Sequence, residues 1–248
     1  MSRPAQNLLL ITLGAAVLWI TLATDEYLNY VKPGFRPLLV AAAVAMAALG
    51  AAGLRRDWHD SPGASPDGAH GHGHGHDHGH GPRVAWLLCL PALAIFVIAP
   101  PALGSFTAAR GTDRPAAPPS PPAEGYRRLV PTGEPIDMTL GEFIGRSFET
   151  QTGMPNGLTD VQVRLTGFVR SRKEGDGWYL TRLKMTCCAG DAVPFQVIVH
   201  GLDKPADGTW VQVVGVYRPP KTRRPATGMH DLYGQSLRRI KKPKNAYE

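Results

Sequence analysis

Six histidines occur at every second position of one short segment, separated by glycine or, once, by aspartate. They are His70, His72, His74, His76, His78 and His80. In an extended chain this spacing places the imidazoles on one side, and neutral imidazole is a common ligand of Zn²⁺, Ni²⁺ and Cu²⁺. We therefore expect an exchangeable transition-metal site, for zinc first of all, with an affinity that falls below about pH 6.5 because protonated imidazole cannot bind a metal. The alternative is a flexible low-complexity linker.

A second candidate site is the adjacent pair Cys187 and Cys188, followed by Asp191 at a predicted strand end. Thiolates bind zinc and Cu⁺, so these three residues are candidate metal ligands, with His200 as a further candidate. Two alternatives remain open: the cysteines are small buried hydrophobes, or they form a redox-active vicinal disulfide. Such a bridge is strained, because adjacent Cα atoms are about 3.8 Å apart and ordinary disulfides need about 4.4–6.8 Å. The histidine and cysteine signals agree in their chemistry.

The elements that must position these residues fall into two halves. Three uncharged runs, 8–24, 37–54 and 84–103, have the length of about 17–20 residues that a membrane helix needs. We therefore predict a membrane α-helical N-terminal region with about three spans, followed by a C-terminal, mainly β domain. The predicted division is 1–56 for two transmembrane helices, 57–83 for the His-rich loop, 84–104 for the third transmembrane helix, 105–124 for a Pro-rich linker and 125–248 for the soluble β-rich domain.

The apolar runs also carry signals of packing and orientation. The first run could instead be a signal peptide, but only Arg3 precedes it and no small-x-small cleavage site follows. Small residues recur at helical spacing in the second run: Ala43, Ala47 and Ala51. They predict a face that packs against another span or a partner membrane protein. The pair Arg55 and Arg56 favours a cytoplasmic second loop, so three spans leave the C-terminal domain extracellular in a multi-pass protein of the cell membrane.

The β-rich half begins with one predicted helix, from Thr139 to Phe148, with Thr139 as N-cap and Glu142 completing a capping box. Apolar and polar residues then alternate, which is typical of half-buried strands. Five strands are predicted, near 161–169, 178–185, 195–199, 210–217 and 230–240. Five short strands in one small domain favour a closed barrel, and we predict an OB-like one. Gly167 and Gly215 lie inside strands, which often marks a bend or a bulge.

The charge of the chain excludes some functions more clearly than it selects one. The net charge is +7, and nine Lys or Arg residues lie between positions 218 and 244 beside a single acid, Asp231. This basic tail is either a solvated face or a contact for anionic lipid or wall polymer. Nucleic acid is not expected, because few aromatics are interleaved with the basic residues.

No Ser/His/Asp set, acid pair or phosphate loop is legible, so we do not expect an enzyme.

The order of these features resembles the YcgQ-like family of bacterial membrane proteins. The resemblance rests on the N-terminal spans, the His-rich loop and the stretch RLKMTCCAGDAVPFQVIV at 182–199. It implies a companion subunit of a predicted multi-span permease, and a link to zinc homeostasis. It transfers no catalytic residues to this chain.

Three hypotheses follow for the function. The first is a non-catalytic accessory subunit of a membrane permease complex that handles a transition metal, most simply zinc. The second is a membrane-anchored extracellular β-barrel binding module with no metal role. The third is an extracytoplasmic thiol redox protein that uses the cysteine pair.

Overall fold

The structure of the protein is a computed structural model, which describes residues 3–59, 104, 108, 118–131, 133–154, 156–219 and 230–248. The histidine run and the predicted third span at 84–103 lie outside the described residues. The chain divides into two compact units. The first comprises Met1–Tyr27 and Lys32–Pro101, and the second comprises Leu28–Val31 and Ala102–Glu248.

The first unit is built on two long apolar helices, α1 (Arg3–Leu22) and α2 (Arg36–His59). By length and composition, both could cross a membrane, and they are the two candidate spans within the part of the chain that the structure describes. Much of their surface is apolar and exposed, including Leu8, Trp19 and Leu49. Exposure of such a surface to water is unfavourable, whereas its contact with lipid or with another apolar partner is favourable.

Small residues allow α1 and α2 to approach closely. A Cβ atom added at Gly14 of α1 would lie 2.7 Å from the carbonyl oxygen of Ala43, which is itself fully buried. A Cβ atom added at Gly50 of α2 would lie 2.6 Å from the carbonyl oxygen of Asn7. Ala43 and Ala47 of the predicted small-residue face therefore pack against α1, whereas Ala51 is exposed.

The second unit is a closed barrel with one helix. The described residues form the strands β1 (Ile136–Asp137), β2 (Gln162–Arg170), β3 (Trp178–Lys184), β4 (Val193–His200), β5 (Trp210–Val216) and β6 (Asp231–Arg239). The strand order is β1-β2-β3-β4-β6-β5, and an additional pairing of β2 with β5 closes the ring. The five strands β2 to β6 were predicted from the alternation of apolar residues, and the prediction of a small closed barrel is confirmed. The two-residue strand β1 was not predicted.

Strand β2 closes the barrel because it pairs with two partners. Residues Gln162–Phe168 pair antiparallel with β5, and residues Phe168–Arg170 pair antiparallel with β3. Gly167 lies where β2 changes partner, and a Cβ there would lie 2.6 Å from the carbonyl oxygen of Thr181. The register of β5 and β6 shifts between Val214 and Gly215. Both strand glycines therefore mark irregular positions of the barrel wall, as predicted.

The helix α3 (Leu140–Gln151) covers the core of the barrel. Thr139 is its N-cap, and the Thr139 hydroxyl accepts a hydrogen bond of 3.0 Å from the backbone N–H of Glu142. The carboxylate of Glu142 does not complete the predicted capping box in the described contacts; it pairs with Arg146 at 2.8 Å. Three apolar residues of α3 join the core: Leu140, Phe143 and Ile144.

Candidate functional site

The connection from β3 to β4 contains the predicted cysteine site, and we call residues 186–191 the cysteine turn. Asp191 closes this turn on itself. Its Oδ1 atom accepts a hydrogen bond of 2.9 Å from the backbone N–H of Thr186, and its Oδ2 atom accepts one of 2.8 Å from the backbone N–H of Cys187. The backbone N–H of Asp191 donates to the carbonyl oxygen of Cys188 at 3.0 Å. One aspartate thus fixes the backbone at both ends of the turn.

Both thiols of the cysteine turn are free and exposed. The Sγ atoms of Cys187 and Cys188 lie 3.6 Å apart. On a regular strand, adjacent side chains point to opposite faces, so the turn is what brings the two sulfurs together. The interpretation of these cysteines as small buried hydrophobes is wrong. The metal and redox interpretations both require exposed, neighbouring sulfurs.

A hydrogen bond to the Asp191 carboxylate controls the protonation of the Cys187 thiol. Hydrogen bonding of the thiol to the Asp191 carboxylate, followed by hydrogen bonding to Cys188, raises the pKa of Cys187 to about 11. The same contacts hold the pKa of Asp191 below its ordinary value, with the bond from the Cys187 thiol as the largest cause and the backbone N–H groups next. Cys187 is therefore a protonated thiol at neutral pH while Asp191 is a carboxylate.

The cysteine turn is anchored to buried residues of the same unit. Met185, which precedes the turn, is buried in a cluster with Leu183 and Tyr247. The backbone N–H of Met185 donates to the carbonyl oxygen of Glu248 at 3.0 Å. Behind the turn, the backbone N–H of Ala189 donates to the carbonyl oxygen of Tyr30 at 2.7 Å. Exposed sulfurs on an anchored backbone form a defined site, because the segment that carries them is held from two directions.

The residues that the structure describes do not place a set of three protein ligands around these sulfurs. Among the described residues, no group of three or more His, Cys, Asp or Glu side chains could hold a metal ion. Asp191 already receives two backbone N–H groups, and the Nε2 atom of His200 lies 2.8 Å from the Oδ1 atom of Asp231. The six histidines between 70 and 80 lie outside the described residues, so their role as ligands stays a prediction.

One buried polar contact of the barrel was missed by sequence reasoning. The Nδ1 atom of His230 lies 3.0 Å from the hydroxyl of Ser147 on α3, and both residues are almost fully buried. Burial lowers the pKa of His230 to about 4, while the charge of Asp231 acts in the opposite direction. The histidine is neutral at physiological pH, and it belongs to the core. A single histidine next to a predicted strand gives no sequence signal of such a contact.

A second missed contact involves Glu248. Its two carboxylate oxygens accept hydrogen bonds from the first backbone N–H groups of α3, Leu140 at 2.7 Å and Gly141 at 2.9 Å. A carboxylate stabilises a helix N-terminus because it satisfies open donors and complements the helix dipole. Leu140 and Glu248 are 108 positions apart, so no local motif could have indicated the contact.

These observations define a class of protein: two apolar N-terminal helices joined in sequence to a closed five-stranded barrel that displays a vicinal dithiol. The chain belongs to the DUF1980 family. The DUF1980 N-terminal domain matches residues 7–113, and the DUF1980 C-terminal domain matches residues 134–248. Comparison with curated proteins found no match, and comparison with solved structures found none either.

Proposed function

We propose that this protein is a non-catalytic, membrane-anchored accessory subunit of a permease complex, and that it handles a transition metal, zinc in the first place. The observation that carries the proposal is the pair of free, exposed thiols at Cys187 and Cys188, with sulfurs 3.6 Å apart. Exposed, paired sulfur is a suitable ligand set for zinc and for softer ions. The predicted histidine site would supply a second, nitrogen-based set in the same chain.

The membrane part of the proposal is supported by α1 and α2. Their exposed apolar surfaces fit a lipid environment, and Arg55 and Arg56 at the end of α2 favour a cytoplasmic location for the loop that follows. We propose that the barrel lies on the extracytoplasmic side, with its basic tail available to anionic lipid or wall polymer. Complete secondary transporters use larger, repeated helix bundles, so we propose that a multi-span permease supplies the pathway, as the YcgQ-like resemblance implies.

Calorimetric titration tests the metal part of the proposal. The full chain in detergent at neutral pH should bind zinc in a saturable manner, and it should not bind magnesium, which prefers oxygen ligands. If no zinc binds at neutral pH, the metal role is refuted, and a membrane-anchored barrel module remains as the function. The partner is tested separately, because a tagged chain should co-purify a multi-span membrane protein from its native membrane.

A thiol redox function is the second candidate, and the short Sγ–Sγ distance favours it as well. In exchange with an external disulfide, the two cysteine thiols would give two electrons and two protons to that disulfide, which is reduced to two thiols. One strained S–S bond would form between the adjacent cysteines. Mass measurement of the 182–199 region after mild oxidation tests this candidate. A loss of two hydrogens at the cysteine pair, reversed by a dithiol reductant, would support it over the metal function if zinc binding were absent.

A further inference from the structure

We infer that Cys187 and Cys188 bind one thiophilic divalent ion of tetrahedral preference, such as Zn²⁺ or Cd²⁺, through both sulfurs at once. Within the described part of the chain, nothing fills the other two coordination positions of that ion, which stay open to further ligands. The inference rests on the proposed function and goes further in assigning the site, the class of ion and its open coordination.

The distance between the two sulfurs fits one class of ion better than another. A tetrahedral ion bound at about 2.3 Å from each sulfur holds them about 3.8 Å apart. A linear two-coordinate ion, the arrangement that Cu⁺ often takes with two thiolates, would hold them about 4.6 Å apart at the same bond length. The observed separation is 3.6 Å. A tetrahedral ion therefore fits with a small adjustment, whereas a linear one requires the turn to open by about 1 Å.

The surroundings of the pair determine how many ligands the chain supplies. Asp191 uses both carboxylate oxygens to hold the backbone N–H groups of Thr186 and Cys187. His200 is engaged with Asp231. Within the described part of the chain, no third acidic, histidine or cysteine side chain completes a metal group here. Among the described residues, the two thiolates therefore leave half of a tetrahedral shell open to water or to another ligand.

Open coordination has a functional consequence. Closed sites with four protein ligands are structural, whereas sites with an open position exchange ligands. Both cysteines are exposed, so a second protein or a second segment can reach an ion held there. The cysteine turn is therefore suited to receive and pass on an ion rather than to retain it.

Asp191 acts in this site as a positioning residue. Its two backbone hydrogen bonds fold the turn that directs the adjacent side chains to one side. Removing a group that orients metal ligands typically weakens metal affinity by about 10–100-fold. We therefore assign to Asp191 the orientation of the sulfurs, in place of its predicted role as a ligand.

A cadmium titration of the full chain in detergent tests the site. Thiolate-to-cadmium charge transfer absorbs in the ultraviolet and does not arise from imidazole, so it reports sulfur ligands alone. The band should saturate at one ion per chain and disappear on addition of an excess of the chelator EDTA. It should be lost in Cys187→Ser and in Cys188→Ser. It should be unchanged in the matched control Cys89→Ser, which replaces the third cysteine of the sequence. Asp191→Ala should weaken the apparent affinity by about 10–100-fold, and Asp191→Asn, which keeps one acceptor oxygen, should recover part of it.

The outcomes separate this inference from the proposed function. If calorimetry shows zinc binding but no charge-transfer band forms, the cysteine site is refuted and the metal function stands on other ligands. If neither zinc binding nor the charge-transfer band is observed, both the cysteine site and the proposed metal function are refuted. A band that survives in either single serine variant also overturns the two-sulfur site. Should a serine variant fail to fold, wild-type protein treated with iodoacetamide replaces it. A charge-transfer band that remains after both thiols are alkylated also overturns the two-sulfur site.

Discussion

The backbone N–H of Cys187 donates a hydrogen bond of 2.8 Å to the Oδ2 atom of Asp191, four residues later in the chain. This bond makes one carboxylate responsible for two properties of the cysteine turn. It fixes the backbone that presents both sulfurs, and it places a negative charge next to the Cys187 thiol. The following prediction separates the electrostatic role from the structural one.

Replacing Asp191 by asparagine should increase the reactivity of Cys187. Hydrogen bonding to the Asp191 carboxylate, and next to Cys188, raises the pKa of the thiol to about 11, so little thiolate exists at pH 8. The neutral amide oxygen of asparagine is a weaker acceptor than a carboxylate, so the pKa should fall toward the ordinary value of about 8.5. Alkylation by iodoacetamide at pH 8, measured by mass spectrometry of the labelled peptide, should then be faster by at least about 10-fold. The matched control is Asp203→Asn, which removes an exposed aspartate from the loop before β5. Unchanged labelling in Asp191→Asn would contradict the assignment.

Replacing Glu248 by alanine should destabilise the barrel unit by about 1 kcal/mol. The change removes the two hydrogen bonds to the N-terminus of α3, while the backbone pairing of residue 248 with β3 is kept. Denaturant unfolding of the full chain in detergent, followed by near-ultraviolet circular dichroism, measures the effect. Glu124→Ala, at an exposed glutamate of the segment that precedes α3, should change stability by less than about 0.5 kcal/mol. Equal effects in the two variants would show that the cap contributes nothing specific.

The stability of the barrel should fall as the pH is lowered from about 6.5 to 4. His230 has a pKa of about 4 in the folded chain and about 6.5 when unfolded, so the unfolded chain binds the proton first across this window. The contribution of neutral His230 to the free energy of unfolding is therefore fully present above pH 6.5. About 3 kcal/mol of this contribution should be lost by pH 4. In His230→Gln the decline over this window should be smaller by that amount, while His59→Gln, at an exposed position of α2, should follow the wild type. Parallel profiles for wild type and His230→Gln would refute the assignment.

Replacing Gly14 by leucine should separate α1 from α2. A Cβ at this position already lies 2.7 Å from the Ala43 carbonyl oxygen, and the rest of the leucine side chain cannot be accommodated between two close backbones. Amide hydrogen exchange in both helices, measured in detergent, should become faster by at least about 10-fold. Gly34→Leu is the matched control, because a Cβ at Gly34 meets no atom within 4 Å. Exchange rates that rise equally in both variants would contradict a specific packing role for Gly14.

Local patterns in the sequence determined most of the elements of this protein. The alternation of apolar residues predicted β2 to β6 to within about two residues, because each strand must bury one face. Thr139 was correctly predicted to begin α3, since its hydroxyl satisfies a helix donor three residues later. The uncharged runs at 8–24 and 37–54 predicted α1 and α2 in the same way. In each case the physical cause lies within a few residues of the pattern.

Contacts between distant residues were decided by the tertiary structure alone. The pairing of β2 with β5 closes the barrel, Glu248 caps a helix that begins 108 residues earlier, and His230 reaches Ser147 across the core. Residue types identified Cys187 and Cys188 as candidate ligands, but their exposure and the 3.6 Å between their sulfurs depend on how the turn is folded. A sequence records which groups are available and what their neighbours favour; which groups meet depends on the closure of the sheet, and no local pattern contains that information.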